Sequence, residues 1–269
     1  MALVRKTLRD SLPLLLLGLL ALLLFETMFV LWIKHLAATA LRFLSELPFV
    51  AKLVETFLGA DLTKENSSTA LSSVGLGHAL VYVVSWTVLL AASSRVLAGE
   101  ADRGTADLLF TLPLTRSRIY LSVSFACALL ILPLALCLPL GLRIGQSIFA
   151  LTEPIQFLRL APVLANLMAL HAAILGVSLA FSAVADRRGA PIGWTAGYII
   201  FSFVLNFIEA IAPWADRIGF LGLFHHYQPL RVLQDGGWPL MQLAALLSLA
   251  MVAWLIGWWR FTRRDVTAA

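Results

Sequence analysis

Charge is what this chain has least of: 13% of its 269 residues are Asp, Glu, Lys or Arg, where a soluble globular chain carries about 25%. Cysteine is nearly absent as well. The two present, Cys127 and Cys137, stand on one apolar stretch. As a helix it separates them by about 15 Å along its axis, too far for a disulfide, so they carry no information about redox compartment. Also missing are the G-x-x-x-x-G-K-[ST] phosphate loop, the G-x-G-x-x-G turn, H-E-x-x-H, C-x-x-C and the G-x-S-x-G elbow. The chain therefore has no familiar loop with which to hold ATP and no familiar constellation for metal-assisted or nucleophilic catalysis.

Apolar residues take the place of charge. They make up 60% of the sequence, and the mean hydropathy is +0.89, outside the soluble globular range. Crossing a bilayer core of about 30 Å takes about 20 mostly apolar residues in a helix, because each backbone N–H and C=O must be satisfied within the segment. Stretches of that length predict spans over 13–33, 71–93, 119–142, 158–185, 191–212 and 238–259. The expected fold class is all-α, a six-span polytopic membrane protein in one domain covering 1–269. An even number of spans puts both termini on one side.

Lys and Arg in the connections set the orientation. One side would carry Arg5, Lys6, Arg9, Arg95, Arg103, Arg116, Arg118, Arg187, Arg188, Arg260, Arg263 and Arg264. The other would carry Lys34, Arg42, Lys52, Lys64, Arg143, Arg159, Arg217 and Arg231, spread over longer loops with as many acids. The first side is expected to be cytoplasmic, termini included. The net charge of +5 sits where the positive-inside rule wants it and calls for no nucleic acid.

The first apolar stretch begins like a signal peptide but exceeds the usual 7–15 residues, and no small-residue cleavage site precedes Lys34. It reads as a retained anchor. Ahead of it Leu3, Val4 and Leu8 alternate with Arg5, Lys6 and Arg9, and Asp10-Ser11 before Pro13 is a helix start signal. A short amphipathic elbow on the inner leaflet is expected there.

On the far side, the loop over 35–70 contains Leu44, Leu47, Val50, Val54, Phe57 and Leu58 at helical spacing among Arg42, Glu46, Lys52 and Glu55, predicting one amphipathic helix over 41–58. The polar run Asp61 to Ser68 returns the chain to the membrane. Between Pro213 and Gly237 lie Trp214, Phe220, Leu221, Leu223, Phe224 and Tyr227, too apolar for an ordinary loop and too interrupted for a span. This segment is expected to dip into the outer interface.

Isolated polar residues have two readings each. Glu26 in the first span is by default functional, because burying a charged carboxylate is costly; the alternative is a protonated structural group. Asn206 and Glu209, near the outer end of the fifth span, face a pathway or cap the helix. His225-His226 forms a metal pair only with a third ligand, which the sequence does not supply. His78 and His171 read as packing or hydrogen-bonding residues, and the spacings Gly141 to Gly145, Gly189 to Gly193 and Gly193 to Gly197 permit close helix approach.

The stretch Arg95 to Arg118 is different. Gly99 and Gly104 frame Glu100 and Asp102, so acids fall near a helix start. Leu97, Ala101, Thr105, Leu108 and Leu112 follow at close to helical spacing, and Pro113 ends the run. A surface helix resting on the inner leaflet would have one apolar face too. Anionic inner leaflets reward Lys and Arg, however, and repel Glu100, Asp102 and Asp107. A protein partner fits better.

Glu100, Gly104-Thr105, Leu108-Leu109, Pro113-Leu114 and Arg116, just after a second span, resemble the E-x-x-x-G-T-x-x-x-L-L-x-x-P-x-x-R pattern of ABC-2 type transporter permeases. Phe261-Thr-Arg263-Arg264-Asp265 is similar to that family's C-terminal end. Six spans, cytoplasmic termini, an elbow and an apolar outer segment before the last span extend the resemblance over the whole chain. It implies a permease subunit in the cytoplasmic (inner) membrane of a prokaryote. Two copies, expected as a homodimer, would work with two separate cytoplasmic ATPase subunits that bind ATP and magnesium; no cofactor would sit in this chain. It further implies a coupling helix, with Glu100, Asp102, Arg103, Gly104, Thr105, Asp107, Leu108, Pro113 and Arg116 as the ATPase-facing residues. The pathway between two copies would be lined by the second and fifth spans. The 35-residue scale of the outer loop departs from the family's drug and polysaccharide exporters and leaves room for an outer partner protein. The substrate class stays open, since apolar walls suit lipids, peptides and drugs alike. An ATP-independent embedded enzyme or assembly factor using Glu26, His78 or His171, and a passive scaffold for a cytosolic protein, remain the alternatives.

Overall fold

The computed structural model describes residues 2–35, 37–62, 67–102, 115–212, 214 and 216–263. Among these there is no strand, and the helices are α1 (Ala2–His35), α2 (Ala37–Glu46), α3 (Pro48–Leu58), α4 (Ser68–Leu76), α5 (Ala79–Leu97), α6 (Gly99–Asp102), α7 (Arg116–Leu129), α8 (Ile131–Ile148), α9 (Phe157–Val184), α10 (Gly189–Ile211), α11 (Asp216–Gly219), α12 (Pro229–Asp235) and α13 (Leu240–Arg263). Six helical stretches are long and apolar enough to cross a membrane: α1, α4 with α5, α7 with α8, α9, α10 and α13. The protein is a multi-pass helical bundle, as the apolar periodicity requires. Leu16, Leu17, Leu20, Leu24 and Met28 of α1 stay exposed while Leu15, Leu22, Phe29 and Val30 are buried. In lipid the exposed set is the solvated face.

Four stretches differ from the sequence reading, the first three for a local reason. The second span is broken at Gly77-His78. There the Gly77 N–H is shared between the Ser73 and Val74 carbonyls, and the His78 N–H bonds to the Gly75 carbonyl at 3.0 Å. Its two halves are separately capped: Ser67 Oγ accepts from the Ala70 N–H at 3.2 Å, and His78 Nδ1 accepts from the Leu80 N–H at 3.2 Å. The third span runs from Arg116 to Ile148 with a turn at Leu130. Pro133 follows that turn and has no N–H to offer the preceding one. Its C-terminal end passes Arg143, because Gln146 is used structurally: its Oε1 accepts from the Ile155 N–H at 3.1 Å. The amphipathic helix expected over 41–58 is two helices. Leu47, immediately before Pro48, takes φ −121° and ψ 82°, the extended conformation a following proline imposes. The stretch read as an elbow forms the first turns of α1, helical without interruption from Ala2.

The bundle is built around α9, the most deeply buried of the six. Its longest partner is α13, and the second extended pair is α1 with α8. Both pairs rest on small residues. A Cβ added at Gly176 would lie 2.6 Å from the Ala250 carbonyl oxygen, and one at Gly257 would lie 2.8 Å from Ala180 Cα. At Gly141 it would lie 2.8 Å from Glu26 Cβ, and at Gly145 2.7 Å from Val30 Cγ2. Without a hydrophobic drive between helices in lipid, this backbone-to-backbone approach supplies dispersion contact that larger side chains would block. A Cβ added at Gly189, Gly193 or Gly197 of α10 would meet nothing within 4 Å beyond its own helix.

Candidate functional sites at the two ends of the bundle

Contacts between helix termini define two ends. At one, the Arg95 guanidinium Nη1 at the foot of α5 donates to the Asp10 carbonyl oxygen near the start of α1. Trp258 Nε1 of α13 donates to Ser117 Oγ of α7 at 3.3 Å, and Ala183 and Val184 of α9 share a cavity of about 320 Å³ with Trp259, Arg260 and Arg263 of α13. This is the end where the basic residues gather. Arg263 stands over the Trp259 ring at 4.8 Å, a cation–π distance.

The segment read as partner-facing, with Glu100 and Asp102 near its start, leaves the bundle and rejoins it at this end. Its first turn is α6, Gly99–Asp102, with the Asp102 N–H bonded to the Ala98 carbonyl at 3.0 Å. Asp102 is exposed. The segment returns at Thr115, whose Oγ1 accepts from the Arg118 N–H at 3.3 Å and caps α7. Arg116 is half-buried in that first turn. Arg103, Gly104, Thr105, Asp107, Leu108 and Pro113 lie outside the described residues, as do Arg264 and Asp265 of the tail and the side chain of Glu100.

Glu26, Asn206 and Glu209 are not brought together. Glu26 is fully buried where α1 meets α4 and α8, against Gly75 and Gly141, and neither carboxylate oxygen has a hydrogen-bond partner. The polar layer elsewhere in the bundle is partly satisfied. Ser93 and Ser178 share a hydrogen bond of 2.7 Å between α5 and α9. His171 on α9 is buried with both ring nitrogens unpartnered. His78 has a local role: besides capping α5, its ring lies 4.8 Å from Phe25.

At the opposite end, residues 216–237 pack onto the bundle. Phe224 and Tyr227 are buried and meet Tyr82 edge-on at 5.8 and 6.0 Å, while Trp214, Phe220 and Leu221 stay exposed. Asn166 Nδ2 of α9 donates to the His226 carbonyl at 3.0 Å. The two adjacent histidines separate in role. His225 Nδ1 lies 2.7 Å from Glu209 Oε1, and His226 Nε2 lies 2.9 Å from the Phe220 carbonyl. Burial pushes the His226 imidazole below its ordinary range; a carbonyl only accepts, so Nε2 carries the ring proton. Tyr227 Oη donates to the Leu76 carbonyl at 3.3 Å, at the break in the second span. Tyr227→Phe is expected to cost about 1 kcal/mol, read as a fall of a few degrees in the thermal midpoint of the detergent-solubilised protein. An unchanged midpoint would show that the carbonyl is satisfied without the hydroxyl.

A polar cleft opens between this segment, the C-terminal end of α10 and the end of α3. It holds about 190 Å³ and is lined by Lys52 and Glu55, by Asn206 and Glu209, and by Gln228 and Arg231. Gly59, in the left-handed region at φ 78°, closes α3 against Gln228: a Cβ there would lie 2.5 Å from Gln228 Cβ. Sequence reasoning picked out two of these residues, Asn206 and Glu209. The others come from segments far apart in the chain, and no local pattern links them. No family model and no curated sequence matches this chain.

Proposed function

We propose that this chain is the permease subunit of an ATP-binding cassette transporter. Hydrolysis by a separate ATPase would be coupled to export of a substrate, or to transmission of mechanical energy to an outer partner, across the cytoplasmic membrane. The observation that carries the reading is that the two ends of the segment holding Glu100, Asp102 and Asp107, at Gly99–Asp102 and 116–118, both lie at the basic end of a six-helix bundle. Its placement favours transmission of force. The foot of α5 is tied by Arg95 to α1, and the start of α7 is tied by Ser117 to α13. A push on the segment between them therefore reaches four helices as a rigid-body displacement, driven by whatever contacts differ between nucleotide states of the ATPase. Glu100 is the fulcrum of this coupling helix, with Asp102, Arg103, Gly104, Thr105, Asp107 and Leu108 along it and Pro113 at its end. A second copy of the chain fits against α10, whose Gly189, Gly193 and Gly197 have no neighbour within 4 Å.

The test is association. The purified permease is expected to hold a soluble ATPase and to raise its hydrolysis rate, and Glu100→Arg is expected to lower both at least tenfold while the thermal midpoint stays put. Retention of association and stimulation in Glu100→Arg would refute the coupling role.

A further inference from the structure

We propose that the cleft at the outer end of α10 binds a compact zwitterion, a primary ammonium with a phosphate or carboxylate a few bonds away. Several polar atoms of the cleft are already used. Lys52 Nζ lies 3.2 Å from Glu55 Oε2, Gln228 Oε1 accepts from Arg231 Nη1 at 3.3 Å, and Glu209 Oε1 is taken by His225. Three groups are left over. Glu209 Oε2 is buried and has no partner, and Asn206, 3% exposed, has an unpartnered Nδ2. The Arg231 guanidinium meets no carboxylate among the described residues.

These leftovers are of opposite kinds. Glu209 Oε2 can only accept while Asn206 Nδ2 and Arg231 can only donate, so an anion alone would leave the carboxylate oxygen unsatisfied, and a cation alone would leave the two donors so. A zwitterion answers both, with its ammonium on Glu209 and its anionic group on Asn206 and Arg231, where a guanidinium suits a planar carboxylate or a phosphate. The size agrees, since about 190 Å³ admits a molecule of amino-acid dimensions and excludes the drug-sized ligands that need upward of about 300 Å³. Two sources present this chemistry at this depth. The exposed Phe49, Trp214 and Phe220 place the cleft at the level of lipid headgroups, so the ligand is an ethanolamine phospholipid headgroup or a free amino acid from outside. This site stands apart from the coupling role at the other end and does not depend on it.

The experiment uses the full chain in nanodiscs of phosphatidylcholine, whose quaternary ammonium has no N–H to give Glu209. Phosphoethanolamine, glycine and inorganic phosphate are titrated against tryptophan fluorescence, and retained phosphatidylethanolamine is measured by native mass spectrometry from mixed nanodiscs. Binding of phosphoethanolamine with retention of phosphatidylethanolamine supports the lipid source, and binding of glycine without either supports the free amino acid. In both cases Glu209→Gln and the exposed-site Arg231→Gln are each expected to weaken binding at least tenfold, with Arg231→Gln keeping the wild-type thermal midpoint. The proposal is overturned if inorganic phosphate binds as well as the zwitterions, if none of the ligands binds, or if Arg231→Gln binds like wild type.

Discussion

Gly176→Leu is expected to leave little folded protein after detergent extraction. A Cβ at this position would stand 2.6 Å from the Ala250 carbonyl oxygen and 3.0 Å from its Cα, and both are backbone atoms that no rotamer change can move aside. Overpacking usually costs about 1–3 kcal/mol. Here the larger figure is a floor, because relief requires α13 to separate from α9 along the longest helix pair in the bundle. Gly193→Leu, on a face with nothing within 4 Å, is the matched control and is expected to leave the thermal midpoint within about 2 °C of wild type, in line with the small effects of substitutions away from packed features. Equal loss in both variants would show that added bulk at any helix glycine, and not the α9–α13 approach, sets the outcome, since leucine is the better helix former at both sites.

The second large effect is at Glu26. Glu26→Gln is expected to fold within about 1 kcal/mol of wild type and Glu26→Lys to fail. With neither oxygen partnered and no exposure, the site has nothing to offer a charge, and burying an unpaired ion there costs several kcal/mol. Glutamine has the shape and neutrality of a protonated acid. Lysine has no room, since the nearest faces are Gly75 and Gly141, where even one added carbon would come within 2.9 Å of the Glu26 side chain. Failure of both variants would assign Glu26 a role that needs its carboxyl group itself, and thermal melts with yields after solubilisation distinguish the outcomes.

The spans were legible in the sequence because their signal is additive over about 20 residues, and a single polar residue such as Glu26 or His171 does not erase it. Their internal breaks were harder to see. Gly77-His78 reads as two unremarkable residues until the histidine ring is found capping the next helix, and Pro133 and Pro48 act on the turn before them rather than where they stand. Gly141 and Gly145 were legible as contact residues and do pack on α1, whereas the pairing of Gly176 with Ala250 and of Gly257 with Ala180 joins positions about 75 residues apart. The cleft at the end of α10 was least legible of all. Glu209 and Asn206 stand out as polar residues at a helix end, but Lys52, Glu55 and Arg231 look like ordinary surface charges until three separate segments converge.

The hydrogen bond from Tyr227 to the Leu76 carbonyl spans 151 residues, and that separation orders events during synthesis. At about 5–20 residues per second, the second span is made some 8–30 s before its prop exists. For that interval the break at Gly77 must find another donor, water or a lipid headgroup, because a bare carbonyl is not tolerated in hydrocarbon. The newborn second span should therefore sit with its break nearer the interface than in the finished protein, and settle inward only when the Tyr227 turn arrives. In a ribosome-bound intermediate truncated before residue 227, a cysteine placed at Leu76, 1% exposed in the finished protein, would then react with water-soluble thiol labels that the mature chain excludes.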